Sequence, residues 1–326
     1  MRVTGTLSGS LTRRALACLA TGLLVFRASP AYAHPGTPPQ PHDLWSAWPL
    51  SLGPIVGLLA AAWLYGRGHQ AWRHRGRRLG WRAGAFAAGW LSLAVALVTP
   101  LDSLGHALFS AHMAQHLLLI LAAAPLLALS APLGPLLLGL PYQAGSTLGA
   151  WWPRAHRVRG AWRVVSHPVT AWGLHTLALW VWHAPGLYQA ALTNAWLHGL
   201  EHAAFLGTAL LFWWALLHPS RTSRWLLGPG GSMYVFTMAL QGGLLGALMT
   251  LAPQPWYPIY AAWTEAWGLS LLGDQQLAGA IMWIPSGLVY LGAALAVLGA
   301  WLAAMERRDG QLMLNVPPEP APPRLP

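Results

Sequence analysis

Two short stretches carry paired imidazoles: His112-Met-Ala-Gln-His116 and His198-Gly-Leu-Glu-His202. Residues four apart on a helix share one face about a turn from each other, with Cβ atoms ~5–6 Å apart. Both rings of such a pair can reach one metal ion at about 2 Å. The two pairs together would make a four-nitrogen site or two neighbouring sites. His183, in Trp182-His183-Ala184-Pro185, is a candidate fifth partner.

The residue types narrow the metal. Imidazole suits zinc, copper, iron and nickel, whereas thioether sulfur selects copper(I). Met113 lies inside the first pair, but adjacent helical positions point about 100° apart, so it need not share the pair's site. Met249 ends the sixth apolar segment and Met282 lies about two turns into the seventh. Methionines in membrane helices usually serve packing; beside the histidines, and with no thiol expected in the mature chain, they favour copper over zinc. The expected ligands are His112, His116, His198 and His202, with His183 and Met282 as exchangeable ones. Glu201, Asp274 and Gln115 are expected behind them, orienting imidazoles or holding an entry water.

The elements that must position these residues follow from composition. Of 326 residues, 55% are hydrophobic and only 8% charged, against about a quarter charged in soluble domains. Several apolar stretches approach the ~20 residues that cross a bilayer. The expected fold is an all-α integral membrane protein, a bundle of seven transmembrane helices. The spans fall near Pro49–Gly66, Ala83–Val98, His112–Ala131, Val169–Ala184, His198–Leu217, Met233–Leu251 and Gln276–Ala304. Pro125, Pro132 and Pro285 are expected to kink or end helices.

Upstream, Arg13 and Arg14, an apolar run and Ala31-Tyr32-Ala33 read as a cleavable signal peptide over residues 1–33. A short segment (34–48) would precede the transmembrane domain (49–304), and a proline-rich tail (305–326) would follow it. The leader holds Cys18, the one cysteine. Its removal would exclude disulfides, iron–sulfur clusters and thiolate metal sites.

Charge sets the expected orientation. All 19 basic residues are arginines, and outside the leader they follow spans 1, 3, 5 and 7. The positive-inside rule then puts the N-terminus outside and the C-terminus in the cytoplasm. The same distribution accounts for the net charge of +11, and argues against nucleic acid as a partner in favour of lipid headgroups. Most of the 21 tryptophans likewise read as interfacial belts. Asp43, Asp102, Glu201, Glu265, Asp274 and eight histidines collect on the outer side.

Rival chemistries fit parts of the pattern. His198-Gly-Leu-Glu201-His202 matches H-x-x-E-H, a zinc-peptidase pattern with Glu as base, and Glu265 would then supply a third ligand. Histidines on facing membrane helices also ligate haem in redox proteins, although paired haems usually need histidines at both depths. After cleavage, His34 would present an imidazole and a free α-amine, with His42 nearby, as an extra copper site.

Ordered blocks add a resemblance. His112-Met-Ala-Gln-His-Leu-Leu-Leu continues to Ala124-Pro-Leu-Leu. Trp182-His-Ala-Pro-Gly-Leu-Tyr188 is followed by His198-Gly-Leu-Glu-His-Ala-Ala-Phe205 leading to Phe212-Trp-Trp. Trp256-Tyr-Pro-Ile-Tyr260 precedes Asp274-Gln-Gln-Leu-Ala-Gly-Ala-Ile-Met-Trp283. In this order they resemble the CtaG-type cytochrome c oxidase assembly factors, a family of seven-span bacterial membrane proteins. The resemblance implies a protein of the bacterial cytoplasmic membrane that helps mature a haem-copper oxidase by handling copper on the outer side. It implies a metallochaperone or inserter rather than an enzyme, with oxidase subunits and an extracytoplasmic copper donor as partners. His34, His42, His106 and Met249 lie outside the pattern.

Overall fold

The computed structural model describes residues 38–49, 51–76 and 80–314. The expected leader with Cys18, His34 and the proline-rich end of the tail lie outside them. The longer elements are α1 (Leu52–His74), α2 (Trp81–Val98), α3 (Pro100–Gly105) and α4 (Phe109–Ser130), then α5 (Leu133–Gly139), α6 (Tyr142–Trp151), α7 (His156–Val165) and α8 (Pro168–Trp182). They continue with α9 (Pro185–Thr193), α10 (Ala195–Leu217), α11 (Pro229–Thr250) and α12 (Leu271–Leu314). No strand occurs among the described residues.

Among the described residues, five helices are long and apolar enough to cross a membrane: α2, α4, α10, α11 and the Leu271–Arg308 part of α12. The other two apolar segments are helical as well, but each departs from a plain span. α1 has 23 residues but carries Arg67, His69 and Arg73 in its last turns. α8 has 15 residues, fewer than the ~20 that cross a bilayer, because Pro168 opens it and Pro185 soon follows it. Outward faces carry exposed Leu59, Val169, Leu240 and Leu288. The connections between the longer helices hold the short helices α3, α5, α6, α7 and α9.

One of these is clamped against α1. A Cβ at Gly68 would stand 1.7 Å from the Pro135 carbonyl oxygen, and one at Gly139 would stand 1.9 Å from that of Leu64. Only glycine allows backbones this close.

The prolines act differently from one another. Pro132 follows Ala131, whose φ of 47° ends α4 in a left-handed turn. Pro125 does not end the helix, because the segment Leu118–Ala123 is a π-helical stretch. There the Ala124 N–H reaches back five residues to the Leu119 carbonyl. The next bond in that register would run from residue 125 to the Ile120 carbonyl, and proline has no N–H to give. Trp213 of α10 supplies the donor, its Nε1 lying 2.9 Å from the Ile120 oxygen. The widened turn, just beyond His116, is thereby tied to the helix bearing the second histidine pair. Trp213→Phe should orphan that buried carbonyl and cost about 1–3 kcal/mol, read as a lower melting temperature of the detergent-solubilised protein.

Two apolar clusters surround the histidines. One is built on Phe205, Phe212, Trp213, Tyr234 and Tyr290. The other holds Phe109, Met113, Tyr188, Tyr257, Tyr260 and Met282.

Candidate metal centre

The two histidine pairs converge. Ring centroids lie 4.3 Å apart for His112–His116 and 4.2 Å for His198–His202. Across the α4–α10 interface they are 5.3 Å for His112–His198, 5.8 Å for His112–His202 and 5.3 Å for His116–His202. α4 begins at Phe109 rather than His112, so the first pair sits one turn inside its helix. α10 begins at Ala195, its free N–H groups capped by the Asn194 side chain, and holds the second pair at the matching depth.

Glu201 stands closer than an outer partner should. It is fully buried, and its Oε2 and Oε1 lie 3.8 Å from His112 Nε2 and from His116 Nε2 respectively. Among the described residues neither oxygen has a hydrogen-bond partner, and the same holds for Nε2 of His112, His116, His198 and His202. Buried polar groups are nearly always partnered, and an isolated buried carboxylate is costly. A cation held by several of these atoms would satisfy those it touches.

Two sets meet the geometry of a shared ion. His112, His198 and His202 offer ligand atoms that all lie within 4.8 Å of one another, and so do His112, His116 and Glu201. His112 belongs to both sets. Positions 198, 201 and 202 share one helical face, which is why the carboxylate joins the imidazoles.

His183 does not join either set. Its ring centroid is 6.4 Å from that of His116, its Nδ1 is 2.6 Å from the Leu179 carbonyl and its Nε2 is 3.4 Å from Met113 Sδ. Met282 is buried in the same apolar cluster as Met113. Asp274 orients no imidazole. Instead it accepts hydrogen bonds from the Phe109 N–H (2.7 Å), the Ser110 N–H and the Ser110 hydroxyl. It therefore caps the start of α4 from α12 and fixes where His112 and His116 stand. Gln115 braces the same helix from another side, its Nε2 donating to the Ala96 carbonyl at 2.8 Å and to Asp102 at 2.6 Å.

His106 is the site residue that sequence reasoning left unassigned. Its ring lies 5.1 Å from that of His198. Burial, reinforced by His198, pushes it down to about 4, so it is neutral and able to act as a ligand at physiological pH. The available signal was a further histidine six residues before His112 on the same side of the sequence map. Glu265, the imagined third peptidase ligand, is exposed and outside both sets. His42 is exposed too.

The segment after α11 closes this end of the bundle. Tyr260 donates to the Gly105 carbonyl at 2.9 Å, Tyr188 lies 2.6 Å from the Tyr260 hydroxyl, and Tyr257 donates to the His183 carbonyl at 2.7 Å. Burial raises all three phenols above their ordinary value, so they stay protonated. The ring of Tyr188 packs 5.3 Å from His112. The connections at this end, residues 99–108, 183–194 and 251–270, contain no arginine.

The chain belongs to the Caa3_CtaG family, the cytochrome c oxidase caa3 assembly factors, whose pattern matches residues 63–304. The resemblance carried by the ordered sequence blocks is thereby established. Similar curated proteins are the uncharacterized Mb0105 of Mycobacterium bovis and MT0111 of Mycobacterium tuberculosis, each 30% identical over 254 residues, covering 75% of this chain and 37% of the relative. The uncharacterized ML1998 of Mycobacterium leprae is 28% identical over 280 residues, 81% of this chain and 41% of its own. The chain spans about two fifths of the length of these relatives. No solved structure matches it.

Proposed function

We propose that the chain is a seven-span assembly factor of the bacterial cytoplasmic membrane, which holds copper at the extracytoplasmic end of its bundle and passes it to a maturing haem-copper oxidase. One observation carries the reading: four imidazoles and a buried carboxylate converge with their ligand atoms unpartnered, in a member of an oxidase assembly family. The sidedness rests on arginine, which is absent from the connections around the site and frequent in those at the other ends of the helices.

Here copper is cargo. Neutral imidazoles and one carboxylate can release an ion one ligand at a time, by exchange with the ligands of an acceptor. His112, shared by both sets, is the ligand best placed to keep hold while the others exchange. The tyrosine-rich segment over the site is the side from which a donor or the oxidase would approach.

The test is the oxidase itself, purified from cells lacking this chain and complemented with native or altered versions. Oxidase that contains haem but is deficient in copper without the chain, and is restored by the native sequence but not by His112→Ala with His202→Ala, is the expected result. Oxidase with its full copper content in the absence of the chain would overturn the proposal. Glu201→Gln adds a discriminator against the peptidase reading. A peptidase that uses this residue as base loses turnover by orders of magnitude, whereas this account predicts weakened metal retention and no proteolysis to lose.

A further inference from the structure

Below the four-histidine centre lies a second group of ligand atoms. His183 is buried, and its Nδ1 lies 2.6 Å from the Leu179 carbonyl. A carbonyl only accepts, so Nδ1 carries the proton of the neutral ring and Nε2 presents a lone pair. That lone pair faces Met113 Sδ at 3.4 Å, and a thioether has no proton to give. Two acceptors thus face each other in an apolar interior with no donor between them. Packing alone accounts for the sulfur but leaves the imidazole nitrogen without a partner.

The spacing suits a shared ion. A nitrogen at about 2.0 Å and a sulfur at about 2.3 Å from one ion, at a near-tetrahedral angle, lie about 3.5 Å apart. Met113, His183, Met282 and His116 also line one cavity of about 30 Å³, whose deeper wall includes Ser286 and Tyr290. A cavity of this size holds a single small guest. His116 reaches both places: it lines this cavity, and its Nε2 lies 3.8 Å from Glu201.

We infer that Met113, His183 and Met282, with His116 as the shared ligand, form a second station specific for copper(I), separate from the histidine–glutamate centre. The inference rests on the copper reading above and deepens it by dividing the site. Two thioethers and an imidazole form a soft donor set that retains copper(I) and discriminates against zinc. The histidine–glutamate centre has no such preference. Passage of the ion between stations at His116 is ligand exchange alone: nitrogen and oxygen bonds to copper break as nitrogen and sulfur bonds form, with no change of oxidation state.

X-ray absorption at the copper edge of the detergent-purified, copper(I)-loaded chain tests this. The native chain should show sulfur scatterers at about 2.3 Å. Met113→Leu with Met282→Leu, near-isosteric changes, should remove the sulfur shell and lower bound copper by about one equivalent per chain. Met249→Leu, at a buried methionine outside the cavity lining, should retain both and so controls for folding. Copper bound in the native chain by nitrogen and oxygen alone would overturn the second station while leaving the histidine–glutamate centre intact. A native chain that holds no copper would overturn the copper reading, and the second station with it.

Discussion

His112→Ala lowers copper affinity on the order of 1,000-fold, more than any other single histidine change in the cluster. The reason is positional. His112 is the one residue common to the set with His198 and His202 and the set with His116 and Glu201. Removing His198 leaves the second set complete, and removing His116 leaves the first. Loss of an outer orienting partner typically costs 10–100-fold in metal affinity, and loss of a direct ligand from both sets at once exceeds that. Competition with a copper(I) chelator of known affinity, run on the four single alanine variants, checks the order. Equal losses for all four would indicate one undivided four-nitrogen site, in place of two sets hinged on His112.

Asp274→Ala produces the largest loss of stability expected from any single change near the site. The carboxylate accepts from three donors, the Phe109 and Ser110 N–H groups and the Ser110 hydroxyl, all at a buried helix start. These N–H groups have no partner within their own helix. Each buried donor left alone costs about 1–3 kcal/mol, so a total of several kcal/mol follows, unless water enters to replace the carboxylate. The same change releases the N-terminus of α4 from α12, so metal retention should fall although no ligand has been touched. Asp274→Asn keeps an acceptor and should cost less on both counts. Thermal unfolding in detergent, paired with metal content, checks both effects. A variant that loses metal at native stability would show Asp274 acting on the ion directly.

The histidine pairs were legible because their spacing equals the helical repeat and needs no knowledge of the fold. The helical character of every apolar segment was legible for a related reason: in a chain with so few charges, long apolar runs leave the backbone little choice but to satisfy itself within a helix. The role of Asp274 was not. Its partners lie about 165 residues away in sequence, and no local pattern shows which helix start a carboxylate will cap. Glu201 was expected behind the imidazoles, and its place within 4.8 Å of ligand atoms of His112 and His116 was not read from the sequence, although positions 198, 201 and 202 fall on one face by the same repeat that paired the histidines. His183 falls outside both ligand sets, and its spacing in the sequence did not show that it would face Met113 on α4. The short helices between the main ones were hidden for a different reason. α5 owes its position to the glycines at 68 and 139 approaching a neighbouring backbone, a contact that exists only once both segments are folded. Trp213 stood in the sequence only as part of the Phe212-Trp-Trp block, yet it donates to the carbonyl that Pro125 leaves open. Its partner is a backbone irregularity with no signature beyond the proline itself.

The most direct test of the central claim is the metal content of the detergent-purified chain after copper(I) loading, measured beside a variant with His112, His116, His198 and His202 all changed to alanine. This account predicts copper retained by the native chain and lost from the histidine centre in the variant, leaving at most what the methionine station holds. Zinc or haem iron in the native chain in place of copper, or copper retained in full by the variant, would contradict it.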